Sequence, residues 1–334
     1  MADNPQTLSG ITSALGQFFP GDVRSTVNRM SVLLSILPIV IGSGKNVAWD
    51  VEYDGTIAEN FSDGADVANY GSDGLMPATL SWGQHRSNFR VTDLAAAAAA
   101  SSRSPEGVKD LIGRNVFTSM GKLASTLNGY FYSGAGTGTT VAGLSLGVDS
   151  SGTYAGIDRG SYSWWQSYEV DSSSAAISLG QIRTDTAAIY TACGMRPDVA
   201  LCPPAVRNKL VELFDSGRKW ERDVLTARGK TTLEYSSEVI VIDGVQFIED
   251  KDCTAGAIYY LNSSMIDIEV LPQANNFSDP LGPADDGFTK LMLGFYAKEL
   301  GATGASRKMS IMSALQLAVR RPNAFGKRLN ILTT

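Results

Sequence analysis

The 334-residue chain has one histidine, His85, and three cysteines, Cys193, Cys202 and Cys253. A Ser-His-Asp or Cys-His site would have to use His85, and no partner for it can be picked out of the sequence. A lone histidine beside an alternating stretch reads as structural. Zinc would lack ligands, because no cysteine pair has Cys-x-x-Cys spacing. The odd count also argues against a disulfide framework, so buried, reduced thiols are expected. Charge is sparse: 19% of residues are charged and the net charge is -6, against a protein that grips nucleic acid over its whole surface. Long apolar runs are missing. The longest, Met30 to Ile41, is too short to span a bilayer and carries Pro38, so a buried strand or turn is expected there. The N-terminus has no basic region of the kind a secretory signal needs.

What is present suits a globular protein. Hydrophobic residues make up 43% of the chain, and its length allows two or three compact subdomains or one elaborated one. Twelve Tyr, twelve Phe and five Trp supply material for interfaces.

Residues 1–30 are polar and irregular and read as an N-terminal arm. From Val47 the pattern has period two: Val47, Trp49, Val51 and Tyr53 alternate with Ala48, Asp50, Glu52 and Asp54. Residues 54–78 are rich in Gly, Asp and Asn. Alternation returns at Leu80 and Trp82, then Phe89 and Val91, which predicts one long hairpin with an extended tip. Such a hairpin needs a neighbour to lie on. Ser104-Pro105-Glu106 is a helix start, and Val108, Leu111, Ile112, Val116, Met120, Leu123 and Leu127 keep helical spacing toward residue 131. A mixed region follows the glycine-rich turn 134–138. It holds a helix at 178–193, a strand at 199–201, a helix from Pro203-Pro204, a hairpin turning at Asp243-Gly244, and strands at 257–261 and 265–271. The last strands, 288–300 and 309–319, are expected to pair. The fold class is α+β.

No motif assembles into a catalytic constellation. Gly42-Ser43-Gly44-Lys45-Asn46 resembles a phosphate loop only faintly, with Ile39 where Gly is needed and Asn46 in place of Ser/Thr. Glu249, Asp250 and Asp252, interleaved with Lys251, read as a solvated turn. The stretch 143–165, GLSLGVDSSGTYAGIDRGSYSWW, leaves two readings. Asp158 among Tyr154, Tyr162, Trp164 and Trp165 could line a sugar-binding groove; alternatively, the stretch is a glycine-rich connector pinned by aromatics.

The run Gly152-Thr153-Tyr154-Ala155-Gly156-Ile157-Asp158-Arg159, with Tyr162, Trp164 and Trp165 after it, resembles the major capsid proteins of tailed bacteriophages with the Hong Kong 97-like fold. Residues 199–210 and 243–250 also look like that family. The resemblance covers nearly the whole chain. It implies an N-terminal arm at 1–44, an extended β-hairpin loop at 45–92, and a peripheral domain with a long spine helix at 93–134. An axial domain at 135–287 and closing peripheral strands at 288–334 would follow. The implied function is structural, without catalysis or cofactor: pentamers and hexamers of one subunit form an icosahedral head shell around double-stranded DNA, assembled in the host cytoplasm. A portal protein is an implied partner, and a separate scaffold, protease or decoration protein remains open. No scaffold segment of about a hundred residues precedes the domain, which suggests a mature form or a separate scaffold. Lys45 is the only lysine near the loop, so non-covalent closure is expected. Bacterial cargo compartments share the fold and are the neighbouring alternative.

In that family a neighbour's loop lies over the peripheral domain. Residues 46–80 contain Asp50, Glu52, Asp54, Glu59, Asp63, Asp66 and Asp73 and no Lys or Arg; residues 300–334 contain Arg307, Lys308, Arg320, Arg321, Lys327 and Arg328 and no Asp or Glu. These are the expected inter-subunit contacts, with DNA as the competing partner of the basic set. Tyr154, Trp164 and Trp165 are the expected structural anchors.

Overall fold

A computed structural model of the chain describes residues 31–54, 58–60, 62–64, 66, 71, 74–94, 97, 106–214, 240–271, 288–292, 295–302 and 304–333. The expected arm at 1–30, the Ser104-Pro105 helix start, parts of the 54–78 tip and Asp73 lie outside these residues.

The elements in order are α1 (Val32–Ile36), β1 (Ile39–Ile41), β2 (Val47–Asp54), β3 (Gly74–Leu80), β4 (Gly83–Thr92), α2 (Glu106–Ser133), α3 (Leu144–Gly147), β5 (Thr153–Tyr154) and β6 (Ile157–Asp158). A 3-10 turn at Ser163–Trp165 leads to β7 (Tyr168–Asp171), α4 (Leu179–Cys193), β8 (Val199–Cys202) and α5 (Pro204–Phe214). The remainder is mostly strand: β9 (Ile240–Ile242), β10 (Val245–Glu249), β11 (Ile258–Leu261), β12 (Ile266–Val270), β13 (Phe288–Met292), β14 (Phe295–Ala302), β15 (Ser306–Val319) and β16 (Gly326–Leu329).

Two six-stranded sheets carry the molecule. The first runs β1-β12-β15-β14-β13, and β4 also pairs with β15. The second runs β7-β16-β11-β8-β10-β9. One continuous apolar core joins them, from Met120 and Leu127 of α2 through Ile268 and Leu317 of the first sheet to Leu201 and Phe247 of the second. The buried positions of α2 (Val116, Met120, Leu123, Ala124, Leu127 and Phe131) recur at three or four residues, as one packed helix face requires. At 1.5 Å per residue this 28-residue helix is a rod of about 42 Å. Ser178 and Gln181 cap α4 reciprocally. Asp243 and Gly244, both at positive φ, close the β9–β10 hairpin.

Three expectations change, wholly or in part. Residues 83–92 do not extend the hairpin: among the described residues β2 pairs with β3 alone, and β4 leaves to run antiparallel along β15. Residues 288–302 form two strands rather than one: β14 pairs with β15 as expected, and β13 adds to the far side of β14. β11 and β12 are adjacent in sequence but lie in different sheets. β12 thus joins the first sheet and β16 the second, so the chain crosses between layers on both sides of residue 288. Finally, the apolar run before residue 42 is only half buried. Leu33, Leu34 and Leu37 enter the core, whereas Val40 and Ile41 on strand β1 are exposed.

Candidate functional site

The glycine-rich run 143–165 folds into a compact knot around Arg159, which is fully buried. Its guanidinium donates to four main-chain carbonyls, those of Trp165, Ser151, Leu146 and Gly147, at 2.7–3.3 Å. It also lies 5.3 Å from the centre of the Tyr154 ring. Burial lowers the Arg159 pKa, and the charge of Asp149 works against that. The Trp165 indole donates to the Tyr154 carbonyl at 3.1 Å, and the Tyr154 hydroxyl accepts from the Val319 amide at 2.9 Å. The knot is thereby tied to the end of β15. Tyr154 and Trp165 are each about 1% exposed and line no groove, which removes the sugar-binding arrangement. Asp158 is exposed and receives the Gly160 and Ser161 amides and the Ser161 hydroxyl, which hold its carboxyl below the usual range. Of the expected anchors, Tyr154 and Trp165 belong to the core. Trp164 is only half buried and stacks face to face on Tyr53 of β2, centroids 4.8 Å apart.

The remaining chemistry is inert. His85 stacks on Tyr130 of α2 at 5.1 Å and its buried Nε2 has no hydrogen-bond partner; burial lowers its pKa. All three cysteines are buried and unpaired, and burial pushes the Cys202 thiol up to about 12, far from a nucleophile's range. Gly42–Asn46 links β1 to β2, so it has no helix N-terminus to hold a phosphate. Among the described residues no three His, Cys, Asp or Glu side chains group to hold a metal, and no helix is long and apolar enough to cross a membrane.

The charged candidates divide sharply. On β2, Asp50 and Glu52 sit on the exposed face of the hairpin, opposite Pro77 and Leu75 of β3. Asp54 follows on the same strand, and Glu59, Asp63 and Asp66 are exposed beyond it. Of the basic set, Arg307, Lys308 and Arg321 are exposed. Lys327 and Arg328 are not available to a neighbour or to DNA. Lys327 is 4% exposed and bound to Asp149 at 2.7 Å and Glu169 at 3.3 Å. Arg328 is 5% exposed and grips Asp185 through two nitrogens, while Tyr168 and Tyr260 donate to the same carboxylate. Arg320 is held within the chain by Asp267 and Glu269 and lies 5.1 Å from the centre of the Trp49 ring. Burial of Lys327 and Arg328 and the internal ion pairs of Arg320 remove half of the expected basic surface.

β4 supplies what the sequence reading missed. Its solvent-facing positions alternate, and two of them are Arg86 and Arg90. Register places Lys308 of β15 directly opposite Arg90. Two buried carboxylates were missed as well. Asp185, read only as part of a helix, is fully buried. Asp250, read as solvated, is 2% exposed and accepts from Asn128 and Tyr132 of α2.

The two sheets, the long helix and the two-stranded β2–β3 hairpin together fit a Hong Kong 97-like fold. The capsid asymmetric unit of cyanophage A-1(L) superposes with a TM-score of 0.74 at 17% identity, covering 90% of this chain and 92% of that one. The capsid of a native GTA particle gives 0.58 at 14%, covering 92% and 91%. The holo-SrpI encapsulin complex from Synechococcus elongatus PCC 7942 gives 0.56 at 12%, covering 91% and 88%. These likenesses establish the fold. No curated protein matches the sequence. The SU10 major capsid protein family matches residues 84–331, and the chain belongs to that family. It is therefore a major capsid protein of a tailed phage, a structural component of the virion whose copies build the icosahedral shell, and not an enzyme.

Proposed function

We propose that shell closure is directed by charge between a hairpin on one subunit and the first sheet of its neighbour. The acids Asp50 and Glu52 of β2 would lie against Arg86 and Arg90 of β4 and Lys308 of β15. The observation that carries this is the pairing of Arg90 with Lys308. Like charges directly opposite on a sheet destabilise it, and an external anion removes that cost. Residues i and i+4 of a strand are about 13 Å apart. Arg86 and Arg90 have that spacing, whereas the bulge between Glu52 and Asp54 shortens the run from Asp50 to Asp54. An exposed pair contributes only about 0.2–1 kcal/mol, but opposite potentials suppress wrong registers and speed encounter. In this reading α2 and most of the first sheet form the peripheral part. The second sheet, with α4 and α5, forms the axial part, and residues 1–44 serve as the arm. Pentamers and hexamers of the subunit enclose double-stranded DNA, with a portal protein at one vertex.

The test is a charge exchange in the full chain. Asp50→Lys with Glu52→Lys should block particle formation. Adding Arg86→Glu, Arg90→Glu and Lys308→Glu should restore it. Normal particles from the first variant at low salt, or no rescue by the second, would refute the contact.

A further inference from the structure

Among the described residues the hairpin has no ladder to the rest of the molecule, because β2 and β3 form a two-stranded sheet of their own. At its root Val47, Ala78 and Leu80 are buried in the core and Val51 and Met76 pack against it; three further polar or aromatic contacts tie it to its own subunit. Near the root, the Thr79 amide donates to the Ala155 carbonyl at 2.9 Å. Next, the Trp49 indole donates to the Arg320 carbonyl at 3.2 Å. Four residues further out, about 13 Å along the strand, the Tyr53 ring lies on Trp164 with planes only 2° apart. Tyr162 completes a three-ring cluster, 6.2 Å from Tyr53 and 5.6 Å from Trp164.

The backbone is shaped for that outermost contact. Register runs evenly from Val47 opposite Leu80 to Glu52 opposite Leu75, then slips, so that Asp54 rather than Tyr53 faces Gly74. Tyr53 is the extra residue of a β-bulge, a device that re-aims a side chain and twists the strand. The slip brings the Asp54 backbone so close to Gly74 that a Cβ on residue 74 would sit 1.9 Å from the Asp54 carbonyl oxygen. Only glycine fits there. Trp164 is likewise set apart from its neighbour: Trp165 fills the core, whereas Trp164 rests edge-on against it at 5.5 Å and presents its face outward to Tyr53. Tyr53 itself is 42% exposed, so folding of the core does not account for its placement.

We infer that Tyr53 and Trp164 are positioning residues. The stack fixes the direction in which the hairpin leaves its own subunit before any neighbour is met. The bulge at Tyr53 and Gly74 exists to make that stack. This rests on the reading that the hairpin reaches a neighbouring copy. It adds that the reach is preset within the chain by a contact outside the core.

The experiment separates the two ideas by beginning with the unassembled full-length subunit. Hydrogen exchange of β2 and β3 and acrylamide quenching of tryptophan emission are compared in wild type, Tyr53→Ser and Tyr53→Phe. Loss of one aromatic pair should speed hairpin exchange by roughly two- to tenfold and raise quenching in Tyr53→Ser. The melting of the core should stay the same. Tyr53→Phe keeps the ring and should behave as wild type. Electron microscopy of particles should then show more misclosed or variable shells for Tyr53→Ser only. Equal hairpin protection in Tyr53→Ser and wild type would overturn the proposal. So would a Tyr53→Phe hairpin as loose as that of Tyr53→Ser, or Tyr53→Ser particles of wild-type yield and diameter. Failure of the charge exchange alone would instead remove the docking contact and leave the clasp standing.

Discussion

Two adjacent tryptophans offer a sharp test of how the knot is built, because the structure gives them opposite jobs. Trp165 is 1% exposed and satisfies the Tyr154 carbonyl with its indole. A buried tryptophan removes about 150–250 Å² from water, which at about 25 cal/mol per Å² is about 4–6 kcal/mol. Measured truncations of such residues cost about 3–5 kcal/mol. The hydrogen bond from the indole to the Tyr154 carbonyl, worth about 0.5–1.5 kcal/mol, is lost with the ring. Trp165→Ala should therefore lose at least about 4 kcal/mol. That is a large share of the roughly 5–15 kcal/mol by which proteins are stable. Trp164→Ala forfeits a half-buried ring whose contacts are to Tyr53, Tyr162 and the edge of Trp165, with the outward stack on Tyr53 worth about 0.5–1.5 kcal/mol. In large domains 1 kcal/mol moves the melting temperature by about 2–4 °C, so the two variants should differ by about 6 °C or more. Circular-dichroism melts of the unassembled subunit would measure this. Trp164→Ala should keep a nearly normal melt and still assemble poorly, whereas Trp165→Ala should fail already at soluble yield. Equal melting shifts in the two variants would refute the division of roles.

Other expectations follow from buried charge. Asp185→Ala strands Arg328 and the Tyr168 and Tyr260 hydroxyls, and should cost about 3–5 kcal/mol, read as a fall in the denaturant midpoint. The paired apolar replacement Asp185→Leu with Arg328→Met should recover much of that loss. For His85 the folded pKa lies below the unfolded value because burial disfavours the charged ring. The folded state then binds fewer protons. Its contribution is complete above about pH 6.5 and declines as pH falls through that value toward the lowered one. His85→Phe should flatten the melting temperature in that window and leave the later acid limb, where carboxylates titrate, unchanged. Cys202, pushed up to about 12, should resist alkylation at pH 8 until denaturant is added. Rapid labelling of the native subunit at Cys202 would contradict the burial.

Local signals were readable in the sequence wherever the deciding partner was local. The helix at 178–193, the Asp243-Gly244 turn and the three-four spacing of α2 each depend on residues a few positions apart, and each formed as read. Long-range partners were not readable. Alternation in 83–92 shows that one face is covered but not by what; the strand beside it, β15, begins more than 200 residues later. The basic run at the C-terminus contains no acid, so it reads as surface. Lys327 in fact finds Asp149 at a separation of 178 residues, and Arg328 finds Asp185 at 143. Asp250 reads as solvated beside Lys251 because nothing nearby shows that Asn128 and Tyr132 of α2 cover it. The candidate contact surface was therefore half visible. Its acids lie in one continuous stretch, whereas its bases come together only when β4 pairs with β15.

That pairing also explains how a projecting hairpin can be aimed at all. β15 is flanked on one side by β14 and on the other by β12 and then β4, so its 14 residues are fixed along nearly their whole length. Gln316, fully buried within it, accepts the Ala142 amide at 2.8 Å and donates to the Ser81 carbonyl at 2.6 Å. Ser81 is the corner between β3 and β4, where the hairpin begins. Val319 on the same strand holds Tyr154, and through it the knot that carries Trp164. The root of the hairpin and the seat of its outer clasp are thus tied to one strand, which shares its own surface with the basic face proposed to receive a neighbour. Sites built on rigid elements keep their geometry better than sites built on loops. A displacement of β15 would move the hairpin and the basic face together, so in the proposed contact the angle between neighbouring subunits would depend on the two short links at Ser81 and Trp164 rather than on the flexibility of the hairpin itself.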